Sequence, residues 1–161
     1  MIFVTVGTHE QQFNRLVEYM DKWGATHKEE VIVQTGYSTY RPKNIKWSEF
    51  YSYQKMIELV NKARIVITHG GPSSFIMPLQ VGKTPIVVPR QHRYAEHVND
   101  HQLKFAKEVE RRMGIIIVAE EIDKLDDIIN NYGETRNKVN SIGNNDKFCM
   151  NLEKIVNELF E

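Results

Sequence analysis

The sequence predicts an α/β fold, a single Rossmann-like, doubly wound parallel sheet with helices on both faces. Three observations carry that reading. Short apolar runs rich in β-branched residues recur along the chain, stretches with helical periodicity separate them, and the alternation continues from Ile2 to Tyr132. With 161 residues the chain has the size of one ordinary domain, long enough to bury a core and too short for two complete lobes of this kind.

Taken in order, the apolar runs at 2–6, 31–35, 65–68, 85–88 and 115–118 read as buried parallel strands, and a weaker sixth lies at 45–47. The intervening stretches at 13–23, 53–62, 73–81, 98–111 and 122–132 place their apolar residues on one helical face. After the polar stretch with Gly143-Asn144-Asn145, residues Phe148, Leu152, Ile155, Val156, Leu159 and Phe160 form one stripe. This predicts an amphipathic closing helix at about 145–160, whose apolar face can cover its own sheet or another subunit.

Composition excludes several classes of function. Lys and Arg number 21 and Asp and Glu number 21, so global charge gives no ground for binding nucleic acid or an anionic membrane. The single cysteine, Cys149, cannot form an internal disulfide and reads as an inert core thiol. Met1 leads directly into Ile2-Phe3-Val4 without a basic leader, and no apolar run approaches the roughly 20 residues that span a bilayer. The expectation is a cytoplasmic protein.

In a sheet of order 3-2-1-4-5-6 the first and fourth strands are neighbours, and the loops at their carboxyl ends flank the ligand crevice. The first loop is Gly7-Thr8-His9: glycine permits close backbone approach, and Thr8 and His9 offer donors to an anion. The loop after the fourth strand is Thr68-His69-Gly70-Gly71-Pro72-Ser73-Ser74, directly before a helix whose first-turn amides and dipole favour a phosphate. Together they predict a diphosphate cradle. Neither loop carries the dinucleotide fingerprint or the P-loop pattern, which argues against hydride transfer and ATP hydrolysis.

The loop after the fifth strand, from Pro89 to Gln102, gathers Arg90, Gln91, His92, Arg93, Glu96, His97, Asp100, His101 and Gln102. Such a set can hold the hydroxyls and phosphates of a nucleotide sugar. For Arg93 and Asp100 the preferred reading is a solvated surface. His97 and His101, at i and i+4 on an expected helix beside Glu96, also have a zinc-binding spacing, with His69 or His92 as a third ligand, but the order H-E-x-x-H of a metalloprotease is missing. No metal and no cofactor is expected.

The segments Val4-Thr5-Val6-Gly7-Thr8, Thr68-His69-Gly70-Gly71-Pro72-Ser73-Ser74, Gly82-Lys83-Thr84-Pro85 and Glu96-His97-Val98-Asn99-Asp100-His101-Gln102 together resemble the glycosyltransferase family 28 C-terminal domain, over roughly the first 120 residues. The chain looks most like the soluble subunits of bipartite bacterial capsule and exopolysaccharide glycosyltransferases. It is similar in turn to the catalytic subunit of the eukaryotic two-subunit enzyme that adds the second N-acetylglucosamine to a dolichol-linked precursor. The resemblance implies the C-terminal lobe of a GT-B enzyme, which binds a UDP-sugar and transfers a hexose, most simply with inversion and without a metal, to a lipid-diphosphate-linked saccharide. It also implies a heterodimer: a membrane-anchored, acceptor-binding partner subunit would hold this chain at the inner face of the cell membrane. Self-association of the isolated chain is compatible with it.

By position, the resemblance matches Gly7 and Thr8 to the first glycine loop, Gly70, Gly71, Ser73 and Ser74 to the loop against the donor diphosphate, and His101 with Gln102 to the donor sugar; the polar chemistry of the loops themselves adds His69, Arg90, Gln91 and Glu96 to the donor set. Where relatives carry a ribose-binding glutamate this sequence has Met77, and Glu96 is the candidate substitute. Inverting transfer needs a base, for which His9 is the local candidate, unless the partner supplies it. Competing readings are a non-catalytic donor-presenting subunit, an epimerase-like enzyme and a metallohydrolase. Galactose, glucuronic acid and N-acetylglucosamine all fit, and aromatic residues between Tyr37 and Tyr53 are a candidate docking surface.

Overall fold

The computed structural model describes residues 1–138; the expected closing helix and Cys149 lie outside the described residues. Six strands, β1 (Ile2–Thr5), β2 (Val31–Gln34), β3 (Lys46–Ser48), β4 (Ile65–His69), β5 (Ile86–Val88) and β6 (Ile117–Val118), form one sheet of order β3-β2-β1-β4-β5-β6. Every pairing is parallel, with Thr5 beside both Gln34 and Thr68 at the carboxyl ends of the three central strands. The weak run expected at 45–47 is therefore a true edge strand, shifted by one residue.

The helices are α1 (Asn14–Thr26), α2 (Tyr53–Lys62), α3 (Pro72–Gln80), α4 (His101–Met113), α5 (Leu125–Asn130) and α6 (Tyr132–Lys138). Helices α1, α5 and α6, with Phe13 just before α1, cover one face through Leu16, Val17, Met20, Leu125, Ile129 and Tyr132, packed on Ile2, Val4, Ile65, Ile67 and Ile86. On the other face α2 lays Leu59 and Val60 on Phe3 and Val66, while α3 and α4 bring Phe75 and Ala106 onto Val87. Strands buried on both faces explain the unbroken apolar runs, and each fully buried Ile or Phe contributes about 1.5–3 kcal/mol.

Local chemistry sets the element ends. The Ser52 side chain caps α2 by accepting from the Lys55 N–H, and Pro72 opens α3, where its missing N–H is harmless. Gly114, with φ of 57°, closes α4 in the left-handed conformation. Two expectations about helix extent are corrected. Helix α4 starts at His101 rather than at 98, because residues 92–94 form a 3-10 turn that ends at Ala95 with φ of 53°. The single helix expected at 122–132 is a 3-10 turn followed by α5 and α6, separated at Asn131, where two consecutive asparagines are poor helix formers. No described helix is long and apolar enough to cross a membrane.

Candidate donor site

The site is built from the backbone outward. At the carboxyl end of β1 the chain turns at Gly7, with φ of 78°, a conformation that penalises any side chain. Beside it β4 ends in His69, 9% exposed, and runs through Gly70 and Gly71 into α3. A methyl group on Gly7 would collide with the His69 ring, and so would one on Gly71. The imidazole is thus clasped between two glycines, which is the physical reason for a glycine in each loop. Gly70 is equally constrained: a Cβ there would lie 2.8 Å from Gln102 Cβ. Thr8 and Ser73 stand exposed at the rim.

His69 Nδ1 accepts the Gly71 N–H at 3.0 Å, which in the neutral ring leaves the proton on Nε2. Burial, and after it the nearby Arg90 charge, pulls the His69 pKa down to about 4 against an opposing contact with Gln102. At neutral pH the ring held between the two loops is therefore uncharged, with Nε2 turned toward Gly7. Ser73 projects from the first turn of α3 and keeps its own backbone N–H free of an intrahelical partner, whereas Pro72 has no N–H and the Ser74 N–H donates to the Gly71 carbonyl at 3.1 Å. The Ser74 hydroxyl closes the turn instead, within 2.6 Å of the Gly71 carbonyl and 2.9 Å of the His69 carbonyl.

The structure separates the Pro89–Gln102 loop into two groups. Arg90 is fully buried; its NH1 donates to the Gln11 and Gln12 carbonyls at 2.9 and 2.6 Å and its NH2 to the Val6 carbonyl at 3.0 Å. Desolvation lowers its pKa to about 10, so it remains a cation that ties the Gly7 loop to β5 from within. Glu96 is also fully buried, held by Arg15 through bonds of 2.8 and 2.9 Å and by the Gln91 N–H at 3.1 Å. Gln91 Nε2 donates to the Glu120 carbonyl. The expectation that Arg90, Gln91 and Glu96 face a donor is corrected: they form an internal frame, because a buried charge must be paired and hydrogen-bonded. Glu96 consequently cannot stand in for a ribose-binding glutamate. Met77 packs against the apolar cluster of Phe3 and Val66.

The other group stays at the crevice. Gln102, on the first turn of α4, accepts the Arg90 N–H at 3.2 Å and lies against Gly70. His101, its neighbour, is exposed. His9 and His97 approach each other across the mouth, ring centres 6.0 Å apart. The zinc-binding spacing fails because His97 precedes α4 rather than lying on it. As expected, Arg93 pairs with Glu121 at the surface; Asp100 accepts the His92 N–H. Lys83, within one of the recognised segments, lies at the far end of the sheet, donating to the Val60, Asn61 and Ala63 carbonyls beyond α2. The aromatic side chains of Tyr37 and Phe50 meet edge to face at 5.4 Å near the carboxyl ends of β2 and β3.

Sequence reasoning missed Arg15, the partner of Glu96, since a lone arginine between Phe13 and Leu16 reads as solvated. It also missed the pairing of His9 with His97; the one signal was that each occupies a loop at the carboxyl end of a strand, β1 and β5.

Residues 1–158 match the glycosyltransferase family 28 C-terminal domain. The chain belongs to that family. Among curated proteins it is similar to the UDP-N-acetylglucosamine transferase subunit ALG13 of Homo sapiens, 31% identical over 121 residues, and to that of Mus musculus, 29% identical over the same length. Each alignment covers 68% of this chain but 10% of the relative, so the chain spans about a tenth of their length. Among solved structures, the glycotransferase of kitacinnamycin superimposes with a TM-score of 0.60 at 18% identity, covering 81% of this chain and 34% of that one. CalG4, the calicheamicin glycosyltransferase, gives 0.57 at 14% identity, covering 81% and 32%. These likenesses establish the fold: the family 28 domain corresponds to about one third of each glycosyltransferase.

Proposed function

We propose that this family 28 domain is the donor-binding, catalytic subunit of a hexosyltransferase. It would take a hexose from a UDP-sugar and deliver it, with inversion, to a lipid-diphosphate-linked saccharide in capsule or exopolysaccharide synthesis. In this reading a membrane-anchored partner subunit presents the acceptor and holds the chain at the cytoplasmic face of the membrane. The observation that carries the proposal is the pair of glycine loops clasping a neutral His69 at the start of α3. That the similar curated relatives are themselves named as subunits of a UDP-N-acetylglucosamine transferase supports the donor class and the partnership.

The chemistry follows from the geometry. The acceptor hydroxyl oxygen attacks C1 of the sugar, the bond from C1 to the phosphate oxygen breaks with its electron pair going to UDP, and the hydroxyl proton passes to a base at the crevice mouth. Negative charge grows on the diphosphate as UDP leaves. The Ser73 N–H, with the α3 dipole behind it and the neutral His69 ring beside it, stabilises the change with little reorganisation.

Calorimetric titration with UDP and UDP-sugars in EDTA tests this, comparing wild type with Ser73→Asp. An acidic residue in the first turn suits the helix, so the variant should fold, while its carboxylate repels a diphosphate. The reading predicts binding by wild type and a loss of tenfold or more in the variant. Equal affinity in both would remove the cradle at α3.

A further inference from the structure

His9 and His97 face each other across the crevice mouth, with no hydrogen bond between them, and their backbone bonds put them in opposite tautomers. His9 Nδ1 accepts the Gln11 N–H at 3.2 Å. A neutral His9 therefore carries its proton on Nε2 and presents a donor. His97 Nδ1 lies 3.2 Å from the Asn99 carbonyl oxygen and 3.1 Å from Asn99 Oδ1, while the Asn99 N–H is more distant at 3.4 Å. The His101 N–H donates to Asn99 Oδ1, which fixes the orientation of that amide. Two oxygens at the shorter distances make Nδ1 the donor, so a neutral His97 presents the lone pair of Nε2. The loop that delivers this ring is built to hold it. Ala95, immediately before Glu96, is the one described non-glycine residue with positive φ, and Glu96 is locked to Arg15 and to the Gln91 N–H.

From this arrangement, and resting on the donor reading above, we infer that His97 is the general base of the transfer and that His9 is a donor to the UDP diphosphate. The acceptor hydroxyl gives its proton to His97 Nε2 as its oxygen bonds to C1. The bond from C1 to the phosphate oxygen breaks toward UDP, and the His9 Nε2–H bonds a phosphate oxygen of the leaving group. The imidazolium formed at His97 keeps its Nδ1–H on the Asn99 oxygens, the orienting bond a base needs. The base expected at His9 thus moves to the opposite loop.

Two measurements on the whole chain test the assignment. Long-range 1H–15N spectra of the histidine rings at about pH 8 read tautomers directly, without any substitution: His97 should be protonated at Nδ1 and His9 at Nε2. UDP titration of His9→Asn and His97→Asn, which both keep a polar atom where Nδ1 sits, should show affinity lowered about tenfold in the first and changed less than twofold in the second. Reversed tautomers, or an affinity loss confined to His97→Asn, would overturn the inference and leave the donor site standing. Wild type that binds no UDP would overturn the proposed function, and with it the substrate this inference requires.

Discussion

Acidification should unfold this protein partly through His69. Its pKa is about 4 in the folded chain against 6.5 for a free histidine. Between these values the unfolded chain binds a proton that the folded chain refuses, so stability falls as pH falls through that window. The full difference corresponds to about 3 kcal/mol, of which about 2 kcal/mol is lost between about pH 7 and pH 5. The informative comparison is with His69→Asn, whose side-chain oxygen can still accept the Gly71 N–H but does not titrate. Urea unfolding of both proteins at several pH values should show the wild type losing about 2 kcal/mol more than the variant by about pH 5. The carboxylates held low by partners, Glu58 and Glu108 at about 2, remain common to both. Parallel losses in the two proteins would refute the view that His69 is held neutral by burial and by the Arg90 charge.

Other perturbations separate the frame from the crevice. Gly7→Ala places a methyl group against the His69 ring at a positive φ and should destabilise by about 1–3 kcal/mol in urea while weakening UDP binding. Arg90→Met leaves the Val6, Gln11 and Gln12 carbonyls without their donors and Glu96 short of a nearby positive charge; unfolding free energy should drop by about 3–5 kcal/mol. Asp21→Ala removes a buried carboxylate that accepts from the Lys43 and Asn44 N–H groups and the Tyr40 hydroxyl, and should cost about 2–3 kcal/mol without changing UDP affinity. Such a split would show that the loop at 40–44 is scaffold.

The fold was legible because a parallel sheet covered on both faces needs strands apolar on both faces, and Ile2 to Thr5, Val31 to Gln34 and Ile65 to His69 meet that demand almost without interruption. The glycines of the two crevice loops were legible for an equally direct reason, since the backbone there passes too close to His69 for a side chain. What sequence could not tell was which polar residues of the Pro89–Gln102 loop turn inward. Arg90 and Glu96 look like ligand-binding residues in a linear reading, yet their partners are main-chain carbonyls at Val6, Gln11 and Gln12 and the side chain of Arg15, all distant in sequence. Polar side chains carry no periodicity that reports burial. The break at Ala95 was hidden likewise, because alanine gives no signal of a left-handed turn.

The central claim is that the start of α3 and the two glycine loops form a diphosphate cradle around His69. A crystal structure of the chain with UDP tests it most directly. The account predicts diphosphate oxygens bonded to the Ser73 N–H and beside His69, with Thr8 and His9 at the rim and Gln102 adjoining. UDP seated away from α3, with His69 and Gly71 untouched, would contradict it.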